Sequence, residues 1–290
     1  MMIPRRRFRD AYQELYDGRF LSDGYPDLEE SGVEYFSEHQ QSSSNLDAIF
    51  ECLAQLIDLS PEPRTISIIG CGPNPHSVRW LLDRGWDAVG LEPVPGSAET
   101  AREFLGDPTR ILIAAAERLP LLDNSQRVLV MESVLEHVDS PIASVAEAFR
   151  VLEPGGVLYV STTNRHALRN GEFRSRFFQW FPAIVKESYV FAHLHYEPTL
   201  ANFTPRPAVH WFCFSELCSL GRQVGFAQFY SPFDLMSTGS SLVGNSAWRR
   251  LFLSIAQRDP WGRALALTLR GEAVFMLKRP SAVPEGRSAD

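Results

Sequence analysis

The chain has 290 residues, of which 44% are hydrophobic and 22% charged, with a formal net charge of −7 and a pI near 5.6. A chain of this length can bury one sizeable core with insertions, and its acidic balance argues against a nucleic-acid partner, since binding the phosphate backbone needs clustered Lys and Arg. No apolar run approaches the roughly 18 residues of a spanning helix, and residues 1–30 lack the apolar stretch of a signal peptide, so we expect a cytoplasmic protein without an integral membrane segment.

The N-terminal residues 1–45 mix charges, aromatic residues and a polar run, and we interpret them as a cap or lid. Their basic tract is interpreted as a solvated terminus, with contact to an anionic membrane or an acidic partner as the alternative; it comprises Arg5, Arg6, Arg7 and Arg9. A helix is predicted over 46–59 from its helical spacing of apolar residues, with Asn45 as N-cap.

Strands and helices then alternate, which is typical of a parallel sheet covered on both faces. The predicted strands are 65–70, 87–92, 110–115, 128–132 and 157–162, and the helices between them are 77–84, 98–105 and 142–152. Pro154, Gly155 and Gly156 mark the start of the fifth strand. We assign residues 46–164 to one ligand-binding core.

Residues 165–210 interrupt this alternation with a long segment rich in Phe, Tyr and Trp, and we interpret it as a substrate-binding insertion. The core resumes over 211–280, with Ser215 as N-cap of a helix over 216–224 and a strand over 226–231. A helical insertion near 247–257 and a last strand near 272–278 complete it. The polar tail 281–290 is predicted to be disordered.

Residues 66–74 predict a buried strand that runs into a glycine turn at Gly70 and Gly72, and Glu92 ends the next strand. A dinucleotide site needs a third glycine, but Pro75 stands in its place, and a P-loop needs a lysine that this turn lacks. A nucleoside ligand without a phosphate remains, with Glu92 accepting hydrogen bonds from its ribose hydroxyls. A nicotinamide-dependent oxidoreductase is the weaker alternative.

Four ordered segments extend this pattern over residues 66–164. They are Ile-Gly-Cys-Gly at 69–72, Gly-Leu-Glu-Pro at 90–93, the stretch 116–125, and Glu-Ser-Val-Leu-Glu-His-Val at 132–138 followed by 150–162. Together they resemble the class I S-adenosylmethionine-dependent methyltransferases, in the branch that includes ubiquinone-biosynthesis O-methyltransferases. The resemblance implies S-adenosylmethionine as cofactor and a doubly wound α/β fold, with a mostly parallel seven-stranded Rossmann-like sheet and helical cap or insertions.

The resemblance also implies a set of cofactor-binding residues at the ends of the strands. Ala116 and Glu117 match the family's turn that contacts adenine, usually through a backbone amide. The full set is Gly70, Cys71, Gly72, Asn74, Glu92, Pro93, Ala116, Glu117, Glu132 and Ser133.

Four positions depart from the family pattern. Ile68 and Ala115 stand where the family usually has acidic residues, Arg127 replaces an aspartate that often opens the fourth strand, and Asn74 replaces a glycine. Asparagine tolerates positive φ better than most residues, and a missing hydrogen-bond acceptor costs only about 0.5–1.5 kcal/mol. These departures permit cofactor binding but leave open a catalytically inactive binding or scaffold protein.

His137 and His166 follow the fourth and fifth strands, on loops expected to face the methyl acceptor, and are our candidate catalytic bases. Packing at a helix start for His137 and a solvated loop for His166 are the alternatives. Glu132, Glu136 and His137 resemble a metal cluster of some relatives, but the spacing of the glutamates differs by one residue. We therefore predict no metal site.

The expected function is a methyltransferase that acts on a small molecule, with O-methylation of a bulky apolar or aromatic acceptor held beneath the 165–210 insertion. The aromatic residues of that insertion could instead pack it onto the core.

Overall fold

The computed structural model describes residues 43–166, 180–182, 185, 210–236, 247–270 and 273–279. The predictions for residues 1–42, for most of the 165–210 insertion and for the tail lie outside these residues. The division of the chain into domains stays a prediction.

The described elements alternate between helix and strand through the first half of the chain. In chain order they are α1 (Ser43–Leu56), β1 (Thr65–Ile69), α2 (His76–Leu82), β2 (Asp87–Glu92), α3 (Pro95–Leu105), β3 (Ile111–Ile113), β4 (Gln126–Glu132), α4 (Pro141–Val151), β5 (Leu152–Ser161), α5 (Phe214–Val224), β6 (Gln228–Tyr230), α6 (Pro232–Leu235), α7 (Ala247–Arg258), α8 (Pro260–Arg270) and β7 (Ala273–Leu277).

The strands form one sheet in the order β3-β2-β1-β4-β5-β7-β6. The first five strands are parallel to one another, and β7 is antiparallel to both β5 and β6. The order reverses at β1, which pairs with β2 on one side and β4 on the other. This arrangement confirms the predicted doubly wound, mostly parallel, seven-stranded Rossmann-like sheet.

Both faces of the sheet are buried, which explains why its central strands are continuous apolar runs. In β4, Val128 and Val130 join a cluster with residues of α1, α2 and α3, whereas Leu129 and Met131 join a cluster with residues of α4 and α5. Successive side chains of a strand point to opposite faces, so β4 anchors both layers of helices. None of the described helices is both long and apolar enough to cross a bilayer.

Two predicted helix caps are wrong. Helix α1 begins at Ser43, so Asn45 lies within it; residues 43–45 are all of capping type, and residue type alone does not choose among them. Helix α5 is capped at Cys213 rather than Ser215, because Glu216 accepts a hydrogen bond from the Cys213 backbone N–H at 2.9 Å.

Three further elements differ from the sequence prediction. Strand β5 begins at Leu152 rather than at 157, so Pro154 to Gly156 lie inside it, where the register with β4 shifts. Gly156 is needed there, since a Cβ would lie 2.9 Å from the Glu153 carbonyl oxygen. Helices α6 and α8 were not predicted, although each has at its first position a proline, Pro232 or Pro260, that is typical of a helix start.

Candidate functional site at the carboxyl edge of the sheet

The carboxyl ends of the central strands lie side by side. Ile69 of β1 is paired with Leu91 of β2 and with Met131 of β4, so the next residues, Gly70, Glu92 and Glu132, meet at one edge of the sheet. Ligands of doubly wound sheets bind at this edge, where the strand order reverses.

The glycine turn after β1 is fastened to β2 by its backbone. The N–H groups of Gly70 and Cys71 both donate to the Leu91 carbonyl oxygen, at 2.7 and 3.1 Å. Gly70 and Gly72 have φ values of 71° and 68°, a region that glycine enters at little cost. A Cβ on Gly70 would also lie 2.7 Å from Val134 Cγ2, so this turn and the loop after β4 are in close contact.

Glu92 is the acidic group of the site and is only 7% exposed. Its Oε2 accepts from the Gly72 N–H and its Oε1 from the Val94 N–H, both at 3.1 Å. Burial raises the pKa of this carboxyl, and the two backbone hydrogen bonds oppose that rise. Each carboxylate oxygen offers two lone pairs, so both oxygens keep the capacity to accept from a further donor.

Cys71 packs beneath the turn. A Cβ on Gly90 would lie 2.7 Å from Cys71 Sγ, which shows how closely the sulfur lies against β2. Burial, with the negative charge of Glu92, raises the pKa of the Cys71 thiol to about 12. The thiol is therefore a packing group rather than a nucleophile. Farther along the turn, the Asn74 carbonyl accepts from the N–H of His76 at 2.7 Å, where α2 begins.

The loop after β3 carries the predicted adenine-contacting pair. Ala116 is buried, and the Glu117 carboxylate accepts from the backbone N–H groups of Asp139 and Ser140, at 2.8 and 3.3 Å. The Glu117 side chain thus ties this loop to the start of α4, a role that the sequence did not reveal.

The loop after β4 begins with an unusual backbone conformation. Ser133 has φ 54°, one of two described non-glycine residues with positive φ, and its N–H donates to the Ser161 carbonyl at 2.8 Å. Such conformations cost free energy and cluster at functional sites. Ser133 and Gly70 are exposed and Glu132 is half-buried, so this backbone is open to a ligand.

Glu136 is a buried group whose role sequence reasoning missed. It is 1% exposed and accepts from the Thr162 hydroxyl at 2.7 Å, and burial raises its pKa to about 7. This contact joins the loop after β4 to the end of β5. From the sequence, Glu136 was considered only as a possible metal ligand. The hydrogen bond from Thr162 shows that its partner lies within the protein. Leu135 and Val138 beside it are also buried, but apolar neighbours in the sequence do not distinguish a buried glutamate from one that faces a ligand.

The two candidate bases occupy neighbouring loops and are both half-buried. The His137 backbone N–H donates to the Val134 carbonyl at 2.9 Å, as in a tight turn. The His166 backbone N–H donates to Asn164 Oδ1 at 2.9 Å, and its ring lies 6.2 Å from the Trp180 ring.

His210 adds a third histidine to this edge. Its Nε2 lies 2.9 Å from the Val138 carbonyl oxygen, and its backbone N–H donates to the Glu136 carbonyl at 3.2 Å. The segment before α5 therefore returns to the loop after β4. Within the ranges that the structure describes, no three His, Cys, Asp or Glu side chains group as metal ligands.

Two of the departures from the family pattern now have physical explanations. Ile68 is 6% exposed and packs in the core. Arg127 lies at the amino end of β4, where its guanidinium donates to the Asp58 carbonyl at 2.6 Å and its N–H to the Thr65 hydroxyl at 3.0 Å. The candidate site lies at the other end of the strand, so the replacement of the family's aspartate by Arg127 does not change the site.

The part of the chain that is similar to known proteins includes the strands that form the candidate site. Residues 68–160, from β1 to β5, match the family model for a methyltransferase domain, about a third of the chain. An uncharacterized methyltransferase of Mycobacterium bovis is 34% identical over 104 residues, which are 36% of this chain and 41% of that protein. An uncharacterized methyltransferase of Mycobacterium tuberculosis is 35% identical over 95 residues, or 33% of this chain and 38% of that protein. The chain thus matches less than half the length of these relatives.

Two solved methyltransferase structures are similar to this chain in fold. The plantazolicin methyltransferase BamL, solved with a triazolic desmethylPZN analog and SAH, has a TM-score of 0.51 at 15% identity, covering 93% of this chain and 99% of that one. The plantazolicin methyltransferase BpumL, solved with SAH, has a TM-score of 0.51 at 14% identity, covering 94% and 99%. Residues 68–160 therefore match a methyltransferase domain, within a chain that shares the fold of these two enzymes.

Proposed function

We propose that the protein is an S-adenosylmethionine-dependent methyltransferase that binds its cofactor at the carboxyl edge between β1, β2 and β4. One observation carries this proposal: the Glu92 carboxylate is held beside the glycine turn by the N–H of Gly72. The methyltransferase-domain match over residues 68–160 supports it independently.

The residues at this edge fit an adenosyl ligand. An acceptor-only carboxylate at the end of β2 suits the two hydroxyl donors of a ribose, and the exposed Gly70 backbone lets a ligand approach closely. Cys71, Gly72 and Asn74 continue the turn, Pro93 follows Glu92, and the loops after β3 and β4 add the remaining candidates. These are Ala116, Glu117, Glu132 and Ser133.

S-adenosylmethionine, when bound, supplies an electrophilic methyl group on a sulfonium. The chain itself contributes alignment of the acceptor, exclusion of water, and a base if the acceptor is protonated. We assign the base to His137 or His166, which lie on the loops after β4 and β5. The branch of ubiquinone-biosynthesis O-methyltransferases, and hence transfer to oxygen, stays a proposal.

The acceptor we propose is a bulky apolar or aromatic small molecule. This choice is supported by the aromatic residues around His166. The Trp180 ring lies next to the His166 ring, and Trp180 is 57% exposed, so it can contact an acceptor. A protein that keeps the fold without turnover is the second candidate, because Ala115 leaves the loop after β3 without its usual carboxylate.

Mass spectrometry of a native extract incubated with the protein and isotopically labelled cofactor tests this proposal. We expect a labelled small molecule whose yield at limiting cofactor falls at least about tenfold with the Glu92→Ala variant, because that variant binds the cofactor more weakly. With that acceptor identified, the variants His137→Asn and His166→Asn show which histidine is the base. The variant that lacks the base should have a lower kcat and an unchanged affinity for the cofactor. Cofactor binding without any labelled product would favour the inactive protein.

A further inference from the structure

The helical hairpin of α7 and α8 exposes an unusual number of large apolar side chains. Trp261 is 84% exposed, Leu265 56%, Leu251 50%, Ile255 44% and Phe252 38%. We call the first four of these residues the hairpin patch, because the Phe252 ring packs against the Phe233 ring of α6 at a centroid distance of 6.1 Å. Exposed apolar residues that occur singly need no explanation, but a contiguous group marks an interaction surface.

The two helices bring their exposed residues together. Gly262 of α8 lies so close to α7 that a Cβ there would collide with the Ile255 side chain and approach its carbonyl oxygen to 3.0 Å. Trp261 precedes this contact, and Leu265 lies one helical turn beyond Trp261. The exposed apolar residues of the two helices therefore form one patch and not a separate stripe on each helix.

The opposite side of the hairpin is already used for packing. Leu253, Ala256 and Ala266 are buried, and the Gln257 side chain donates to the carbonyls of Phe233 and Met236 at 3.0 and 2.7 Å. The hairpin is thus anchored to α6 on one side and apolar on the other. A helix needs one apolar face to pack on a core, so the second face, which none of the residues described in the structure covers, is available to another partner.

The charge of the hairpin indicates the chemistry of that partner. Residues 247–270 contain five arginines and one aspartate, a net charge of +4 within a chain of net charge −7. Arg263 is paired with Asp234 of α6, whereas Arg250 and Arg258 are exposed. Arginines beside apolar and tryptophan side chains are typical of helices that lie in the interface of an anionic membrane.

We propose that the hairpin patch is a peripheral docking surface for an anionic lipid bilayer, with Trp261 and Leu265 inserting among the acyl chains. The hairpin also contacts the loop that carries His166, because the Asn164 side chain, which accepts from the His166 N–H, donates to the Thr268 carbonyl of α8 at 3.0 Å. Docking would therefore place the carboxyl edge of the sheet close to the membrane surface. The proposal does not depend on methyl transfer.

Flotation of the full chain with vesicles, without cofactor, tests it. We expect binding to vesicles of phosphatidylcholine mixed with phosphatidylglycerol, little binding to phosphatidylcholine alone, and weakening by salt. The double variant Trp261→Ser with Leu265→Ser should bind at least about tenfold more weakly, because two apolar side chains no longer enter the bilayer. Arg258→Glu, at an exposed position, should weaken binding to the anionic vesicles.

Two controls make this result specific. Leu122→Ser removes a leucine that is 80% exposed outside the hairpin and should bind as the unaltered chain does. Replacing the basic tract with glutamine, at Arg5, Arg6, Arg7 and Arg9, should leave most of the binding in place. Circular dichroism of each variant establishes that it is folded.

The proposal fails if the unaltered chain does not bind anionic vesicles. That would be the result if other residues of the chain covered the patch. It fails equally if the Trp261 and Leu265 double variant binds normally. A concentration-dependent dimer in sedimentation velocity that this double variant abolishes would assign the patch to a second copy instead.

Discussion

The backbone N–H of Gly72 donates to Oε2 of Glu92 over 3.1 Å, which joins the turn after β1 to the last residue of β2. Twenty residues separate the two in sequence, so the hydrogen bond links segments that only the sheet brings together. The same carboxylate accepts from Val94 and so also fixes the path of the chain into α3. Its orientation is thus set by the backbone before any ligand binds, which is the preorganisation that a binding site requires.

Gly70→Ala should destabilise the fold more than Gly85→Ala, although both glycines have similar positive φ, 71° and 76°. A Cβ at Gly85 meets nothing within 4 Å, whereas at Gly70 it lies 2.7 Å from Val134 Cγ2. We expect about 1 kcal/mol for the φ strain alone and about 1–3 kcal/mol more for the crowding at Gly70. Urea denaturation of both variants measures the difference.

A rescue variant separates these two causes. Val134→Ala combined with Gly70→Ala should recover the unfolding free energy that Gly70→Ala loses through crowding. The loss that comes from the positive φ should remain. Equal destabilisation by Gly70→Ala and Gly85→Ala would show that the turn and the loop after β4 are not in close contact.

Glu136 should make stability depend on pH. Its pKa is raised from 4.5 to about 7 by burial in the native state, so the native state holds a proton that the unfolded chain releases at lower pH. The free energy of unfolding should therefore fall as pH rises from about 4.5 to 7, by about 3 kcal/mol from this group, and then level off. Glu136→Gln keeps an oxygen that can accept from Thr162 and should lose this dependence.

The measurement is the difference in unfolding free energy between Glu136→Gln and the unaltered chain at several pH values. That difference should shift in favour of the variant between pH 4.5 and 7. A constant difference across this range would mean that the carboxyl titrates as it does in the unfolded chain.

Cys71 should resist alkylation by iodoacetamide in the native protein at mildly alkaline pH. Its thiol is buried and its pKa is raised to about 12, so almost none of it is thiolate. Cys52 and Cys218 are also buried, whereas Cys213 is half-buried and should react first. Peptide mapping by mass spectrometry gives the order, and rapid labelling of Cys71 in the folded state would contradict its packing against β2.

Local sequence patterns predicted those parts of the fold that local interactions determine. The strand into the turn at Gly70 and the strand ending at Glu92 were predicted from apolar runs and glycine spacing, because buried parallel strands leave that signal. The convergence of these residues follows from parallel pairing, which places strand ends at one edge.

Contacts between distant residues left no comparable signal. Glu136 and Thr162 are 26 residues apart, and nothing local distinguishes a glutamate that turns toward a neighbouring strand from one that faces a ligand. The cap at Cys213 was missed because the Glu216 carboxylate supplies the hydrogen bond, so a serine nearby was chosen on residue type. Helix α8 carries apolar residues on two sides, which obscured its helical periodicity.

Isothermal titration calorimetry with S-adenosylmethionine tests the central claim most directly, using the unaltered chain, Glu92→Ala, Glu92→Gln and, as a matched control, Glu103→Gln at an exposed position on α3. We expect saturable one-to-one binding by the unaltered chain and by Glu103→Gln. Both Glu92 variants, folded by circular dichroism, should lose about 1.5–3 kcal/mol, since hydrogen bonds to a charged acceptor are removed. No heat of binding at millimolar cofactor, or equal affinity in all four proteins, would contradict the proposed site.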